Sequence, residues 1–111
     1  MVLRFKEGVS IRGLRDETVL AVVCAYSIFS DYGLDCVVTS GVDGQHSWGS
    51  LHYRGDAFDL RIKHITDLEG KRDGSKIDEI VEVLSDALTD DFDVVLEEDH
   101  IHVEFQPKHK H

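Results

Sequence analysis

From Gly13 onward, apolar and small residues recur at spacings of three and four. Leu14, Thr18, Ala21, Val22, Ala25, Ile28, Phe29 and Tyr32 lay one stripe along a helix, and Leu20 and Val23 widen it. Asp16 and Glu17 fall in its first turn, where the helix dipole favours anions, and Gly33 supplies a left-handed stop. Cys36–Ser40 then reads as a short β-branched strand. Gly41, Asp43 and Gly44 break it into a loop through His46 and Trp48, the only tryptophan, which fits a rim or binding surface. Residues 57–62 alternate as a second strand, and residues 63–73 form a polar linker punctuated by Gly70 and Gly74. Ser75 reads as the N-cap of a second amphipathic helix that carries Ile77, Ile80, Val81, Leu84, Ala87 and Leu88 on one side. Two strands follow, Phe92–Leu96 and His100–Phe105, around the acidic turn Glu97-Glu98-Asp99, and Pro107 closes the sheet.

The order helix, strand, strand, helix, strand, strand predicts an α+β fold. Its sheet is expected to be largely antiparallel, with helices packed on one face and the histidines, with a zinc site, on the other. At 111 residues the chain holds one domain, residues 1–107, followed by a basic tail, 108–111, in which Lys108 and Lys110 alternate with His109 and His111.

Charge narrows the partners. A formal net charge of -10 repels nucleic acid, and no basic patch offsets it. Cys24 lies in the helical pattern and Cys36 opens a strand; neither has Cys-x-x-Cys spacing, and both are expected to be buried thiols. Residues 1–7 lack the apolar run of a signal peptide, and no segment approaches a membrane span. The expectation is therefore no membrane partner, a monomer, and a cytoplasmic location on synthesis.

The candidate chemistry sits in two places. In residues 50–61, His52 and Asp59 stand seven apart with Gly55 between them, and a bend followed by a strand can swing an imidazole and a carboxylate toward one point. Near the other end, His100 and His102 share one face of a strand. A His, Asp, His set of His52, Asp59 and His102 leaves zinc one open position, the arrangement of a catalytic site. An ion so held acidifies water and polarises a carbonyl, as amide hydrolysis requires. Calcium would want more oxygen ligands. The turn offers three carboxylates as general base. Asp99 can serve if irregular backbone turns it inward, Glu98 is favoured by strict alternation, and Glu97 is a third candidate. His46, in the loop six positions before His52, and His100 could each donate a proton or hydrogen bond. His64 reads as a solvated loop residue.

The pattern Ser50-x-His52-x-x-Gly55-x-Ala57-x-Asp59, followed late by His100-x-His102, resembles the zinc D-Ala-D-Ala carboxypeptidase family. That family includes phage L-Ala-D-Glu endopeptidases and is structurally akin to the hedgehog signalling domain. The likeness spans residues 36 to 106 in motif order and spacing. It implies zinc on His52, Asp59 and His102, a catalytic acid at Asp99 three positions before the last ligand, and a substrate contact from Ser50. It implies hydrolysis of peptidoglycan stem peptides by a phage or prophage enzyme that reaches the cell wall after release or as a virion component. One departure stands out. Members often carry an arginine just after the strand before the loop, and residues 40–43 have none; Arg54 or Arg61 would have to substitute. The alternative is a zinc-containing binding or virion structural module without turnover.

Overall fold

The stripe that begins near Gly13 folds as α1 (Asp16–Asp31), which buries Thr18, Ala21, Val22, Ala25, Ile28 and Phe29. This is a computed structural model of the chain, and it describes residues 1–9, 12–41 and 56–106. Leu20 and Val23 do not widen the buried stripe. They stand 68% and 51% exposed, because a helix packed on a sheet by its 18/21/22/25 face turns positions 20 and 23 outward. Arg15, at the N-cap, makes no side-chain cap. Its Nε pairs with the Asp56 carboxylate, and its guanidinium lies 5.9 Å from the Phe105 ring centroid, which ties the start of α1 to the sheet. At the other end, Gly33 takes φ 72°, and the amides of Gly33 and Leu34 donate to Ser30 O and Phe29 O, both at 2.9 Å. This is the Schellman closure that a left-handed glycine permits.

Five strands form one sheet: β1 (Leu3–Phe5), β2 (Cys36–Ser40), β3 (Ala57–Arg61), β4 (Phe92–Leu96) and β5 (His100–Phe105), in the order β1-β2-β3-β5-β4. The sheet is mixed. β1 runs parallel to β2 (Leu3 opposite Cys36), while the other three ladders are antiparallel. The extra strand has a topological reason, since parallel neighbours need a crossover and α1 supplies it between β1 and β2.

The second helix, α2, covers Gly74–Leu88 and buries Ile77, Ile80, Leu84 and Leu88. Asp73, not Ser75, caps it: its Oδ1 accepts the Lys76 amide at 3.0 Å. Residues 63–73 are more than a polar linker. Ile65 is fully buried, Thr66 and Arg72 form an antiparallel bridge, and Asp67 Oδ1 accepts the amides of Glu69 and Lys71. Nor is His64 simply solvated. Its Nε2–H donates to Asp35 O at 2.7 Å, and its ring stacks on Phe29 at 6.2 Å between centroids.

Strand alternation separates two faces. Phe58 and Leu60 of β3, Ile101 and Val103 of β5, and Cys36 and Val38 of β2 join the helices in one core. Burial pushes the Cys36 thiol up to about 12, whereas Cys24 is only half-buried. The intervening residues Asp59, Arg61, His100, His102 and Glu104 therefore belong to the face opposite α1 and α2. No helix among the described residues is long and apolar enough to cross a membrane.

Candidate metal centre

Two central strands build the site. β3 and β5 pair antiparallel with Asp59 opposite His102 and Arg61 opposite His100, so one carboxylate and two imidazoles emerge side by side. Cross-strand neighbours on one face have Cβ atoms about 4.5–5.5 Å apart, which brings their side chains within reach of a shared ion. Asp59, His100 and His102 each offer a ligand atom, and these atoms lie within 4.8 Å of one another. His102 Nδ1 sits 2.8 Å from Asp59 Oδ1, and His100 Nε2 sits 3.7 Å from the same oxygen.

Each histidine has a second carboxylate at its other nitrogen. His100 Nδ1–H donates to Asp99 Oδ1 at 2.6 Å, and His102 Nε2 lies 3.3 Å from Glu104 Oε1. Glu104 is itself held, since Gln106 Nε2 donates to its Oε2 at 2.5 Å. The hydrogen bond to Asp59 raises the His102 pKa above the ordinary histidine value; burial opposes this, and the charges of Asp59 and Glu104 add to it. The His100 hydrogen bond holds the Asp99 carboxyl below the usual aspartate range.

A protonated His102 between Asp59 and Glu104 is a cation between two carboxylates, and a divalent metal answers the same electrostatic need. Two imidazoles and one carboxylate are a donor set that zinc accepts, while calcium prefers oxygen alone. The outward nitrogens resting on Asp99 and Glu104 match the carboxylate–histidine arrangement that orients metal ligands. The residues therefore fit a zinc ion. His100, expected as a hydrogen-bonding helper, stands among the ligand atoms themselves. His52, the expected third ligand, lies outside the described residues, as do His46, Ser50, Arg54 and the tail 108–111.

Asp99 is exposed and turns its carboxylate to the outward nitrogen of His100. The hairpin between β4 and β5 closes with the Glu97 amide donating to His100 O at 2.8 Å, and Arg72 Nη1 donates to Glu98 O at 2.8 Å. Irregular backbone at 98–99 lets the Asp99 carboxylate turn back to His100 instead of alternating away. Asp99 lines the adjoining cavity, of ≈ 310 Å³; Glu97 and Glu98 do not. Asp59, His100, Arg61 and Lys63 also line it, and His102 does not.

A bulge shapes the opposite wall. Val38 faces Leu60, but Ser40 faces Asp59, so β2 spends one extra residue against β3. Successive side chains normally alternate, yet Thr39 and Ser40 both reach the cavity, which is what such a bulge allows. Reasoning from sequence missed Glu104, Thr39, Lys6 and Lys63. For Glu104 the signal was present: it continues the i, i+2 alternation of His100 and His102 by one more step. Comparison of the chain with protein-family models, with curated proteins and with solved structures gives no match.

Proposed function

We propose that the chain is a zinc-dependent peptidase that hydrolyses peptide bonds in the stem peptides of bacterial peptidoglycan, of the kind encoded by phages or prophages. The observation that carries this reading is the convergence of Asp59, His100 and His102 within 4.8 Å on the face opposite α1 and α2, with Asp59 closing the Ser50-to-Asp59 pattern and the histidines forming the late His-x-His. Asp59 and His102 would hold the ion, with His52 contributing from the motif and His100 beside them. When bound, zinc supplies a Lewis acid that polarises the scissile carbonyl and acidifies water. The chain's own residues do the rest. Asp99, a carboxylate on the cavity wall and ionised at neutral pH like any ordinary aspartate, would accept a proton from the attacking water and deliver it to the leaving amine. His100 keeps that carboxylate aimed through its Nδ1–H. Glu104 fixes the ring orientation of His102. A cavity of ≈ 310 Å³ is at the small end of the ~300–1,000 Å³ range of ligand pockets, which suits a short peptide end.

The test pairs metal content with turnover. The zinc-loaded protein is incubated with purified peptidoglycan, and new amino termini are sought by mass spectrometry, alongside His102→Ala and Asp99→Asn. Wild type should bind one zinc and release product, His102→Ala should lose zinc, and Asp99→Asn should keep zinc with at least a hundredfold less product. A protein with no affinity for zinc sinks the proposal. Zinc binding without product under any condition leaves the non-catalytic module instead.

A further inference from the structure

The sheet ends on one side at β4, which among the described residues pairs with β5 and with no other strand. Antiparallel partners alternate between residues that exchange hydrogen bonds and residues that do not. The phase is fixed at both ends of β4. Glu97 N–H donates to His100 O at 2.8 Å, and Gln106 N–H donates to Asp91 O at 2.7 Å. Carried along the register, Asp93 and Val95 bond to β5, while Phe92, Val94 and Leu96 turn their amides and carbonyls away from it. The Phe92 amide is taken up by Thr89 O at 3.3 Å. Val94 and Leu96 have no such partner among the described residues, so each presents a donor and an acceptor at the rim of the sheet. Val95, between them, is 42% exposed.

Charge selects what can use this edge. From Ile77 to Gln106, through most of α2 and all of β4 and β5, the chain carries eleven of its 22 Asp and Glu and none of its 12 Lys and Arg. The side chains of β4 sort by face. Asp91, Asp93 and Glu97 share the phase of Val95, and Phe92, Val94 and Leu96 point to the core side, where they pack half-buried. A strand framed by carboxylates resists its own copy, because β4 against β4 would bring two acidic edges together in molecules of net charge -10. The other edge, β1, offers a copy only three residues. We propose that β4 receives an extended cationic segment of another protein as a sixth strand, held by main-chain hydrogen bonds to Val94 and Leu96. Alternation sets the sequence it accepts: Lys or Arg on the face of Asp93, and apolar residues on the face of Val94. The proposal stands on the sheet edge and is independent of the peptidase reading.

The test titrates the peptide acetyl-Lys-Val-Lys-Val-Lys-Val-Lys-amide by NMR into the isotope-labelled full chain. Two relatives serve as controls: one has Glu in place of every Lys, and the other keeps the lysines but has N-methylated valines, which removes the amides that would face β4. The Lys peptide should bind at least tenfold more tightly than either, shift the amides of Val94 and Leu96 and slow their hydrogen exchange, and added salt should weaken it. The triple variant Asp90→Asn, Glu97→Gln, Glu98→Gln, at exposed positions where folding is not at stake, should lose affinity several-fold. Val94→Pro removes the outward amide and leaves the β5 ladder in place, and should abolish binding. If that variant fails to fold, the N-methylated peptide puts the same question to the wild-type chain. Equal binding of the N-methylated peptide, or shifts confined to residues away from β4, overturns the proposal. So does self-association of the free chain that protects the same two amides, because the edge would then belong to a second copy.

Discussion

Thr89 ends α2 with φ 67° and ψ -171°, a region that is essentially reserved for glycine and costs other residues about 1–3 kcal/mol. Thr89→Gly should therefore stabilise the fold by roughly 1 kcal/mol after glycine's own entropy, raising Tm by about 4–8 °C in a thermal melt. His102 is the other residue whose surroundings say most. Glu104→Gln keeps the size of the side chain but removes the charge behind the His102 ring, and should weaken zinc binding by about 10–100-fold in a chelator competition. Helix content by circular dichroism should not change. Asp59 and His102 were legible as ligands, and His100 was placed on their face but read as a helper, because alternation in a strand fixes which side chains share a face and not which of them reach one point. The distance between them was not legible, since it depends on which strand lies next to which.

At the scale of elements, α1, α2 and four of the strands were readable because each repeats its own period over five or more residues. β1 was not. Three residues show no period, and Leu3–Phe5 becomes a strand only by pairing with β2 more than thirty positions away. The cap of α2 was misplaced by two residues because Asp73 and Ser75 are both good caps, and only the hydrogen bond to Lys76 chooses between them. The elements also explain how the core supports the site. Phe58, fully buried under the helices, is the residue before Asp59 on β3. Phe58→Ala should cost about 3–5 kcal/mol in urea unfolding and loosen zinc binding at the same time. Ala57, two residues before Asp59 and on its face of the strand, has only a methyl group to lose.

For the whole molecule, acidity and the site meet in the pH dependence. The His102 pKa is raised, so the stability it contributes to the metal-free protein is full below the unfolded value of about 6.5 and fades as pH rises through the higher folded value. The proton and zinc compete for the same imidazole. Zinc affinity should therefore fall as pH drops below the folded His102 pKa, and isothermal titration in buffers of different ionisation enthalpy should report proton release on loading. A His102→Gln variant should lose that release.

Asp59 and His102 are 43 residues apart in the chain and meet on the two strands that other strands flank on both sides. Such partners come together only when most of the sheet has already assembled, because closing so long a loop comes before any reward from the contact. An ion held there cannot guide early folding; it can only lock a finished sheet. Loading should leave the refolding rate nearly untouched and slow the unfolding arm of the chevron, making the metal a kinetic latch.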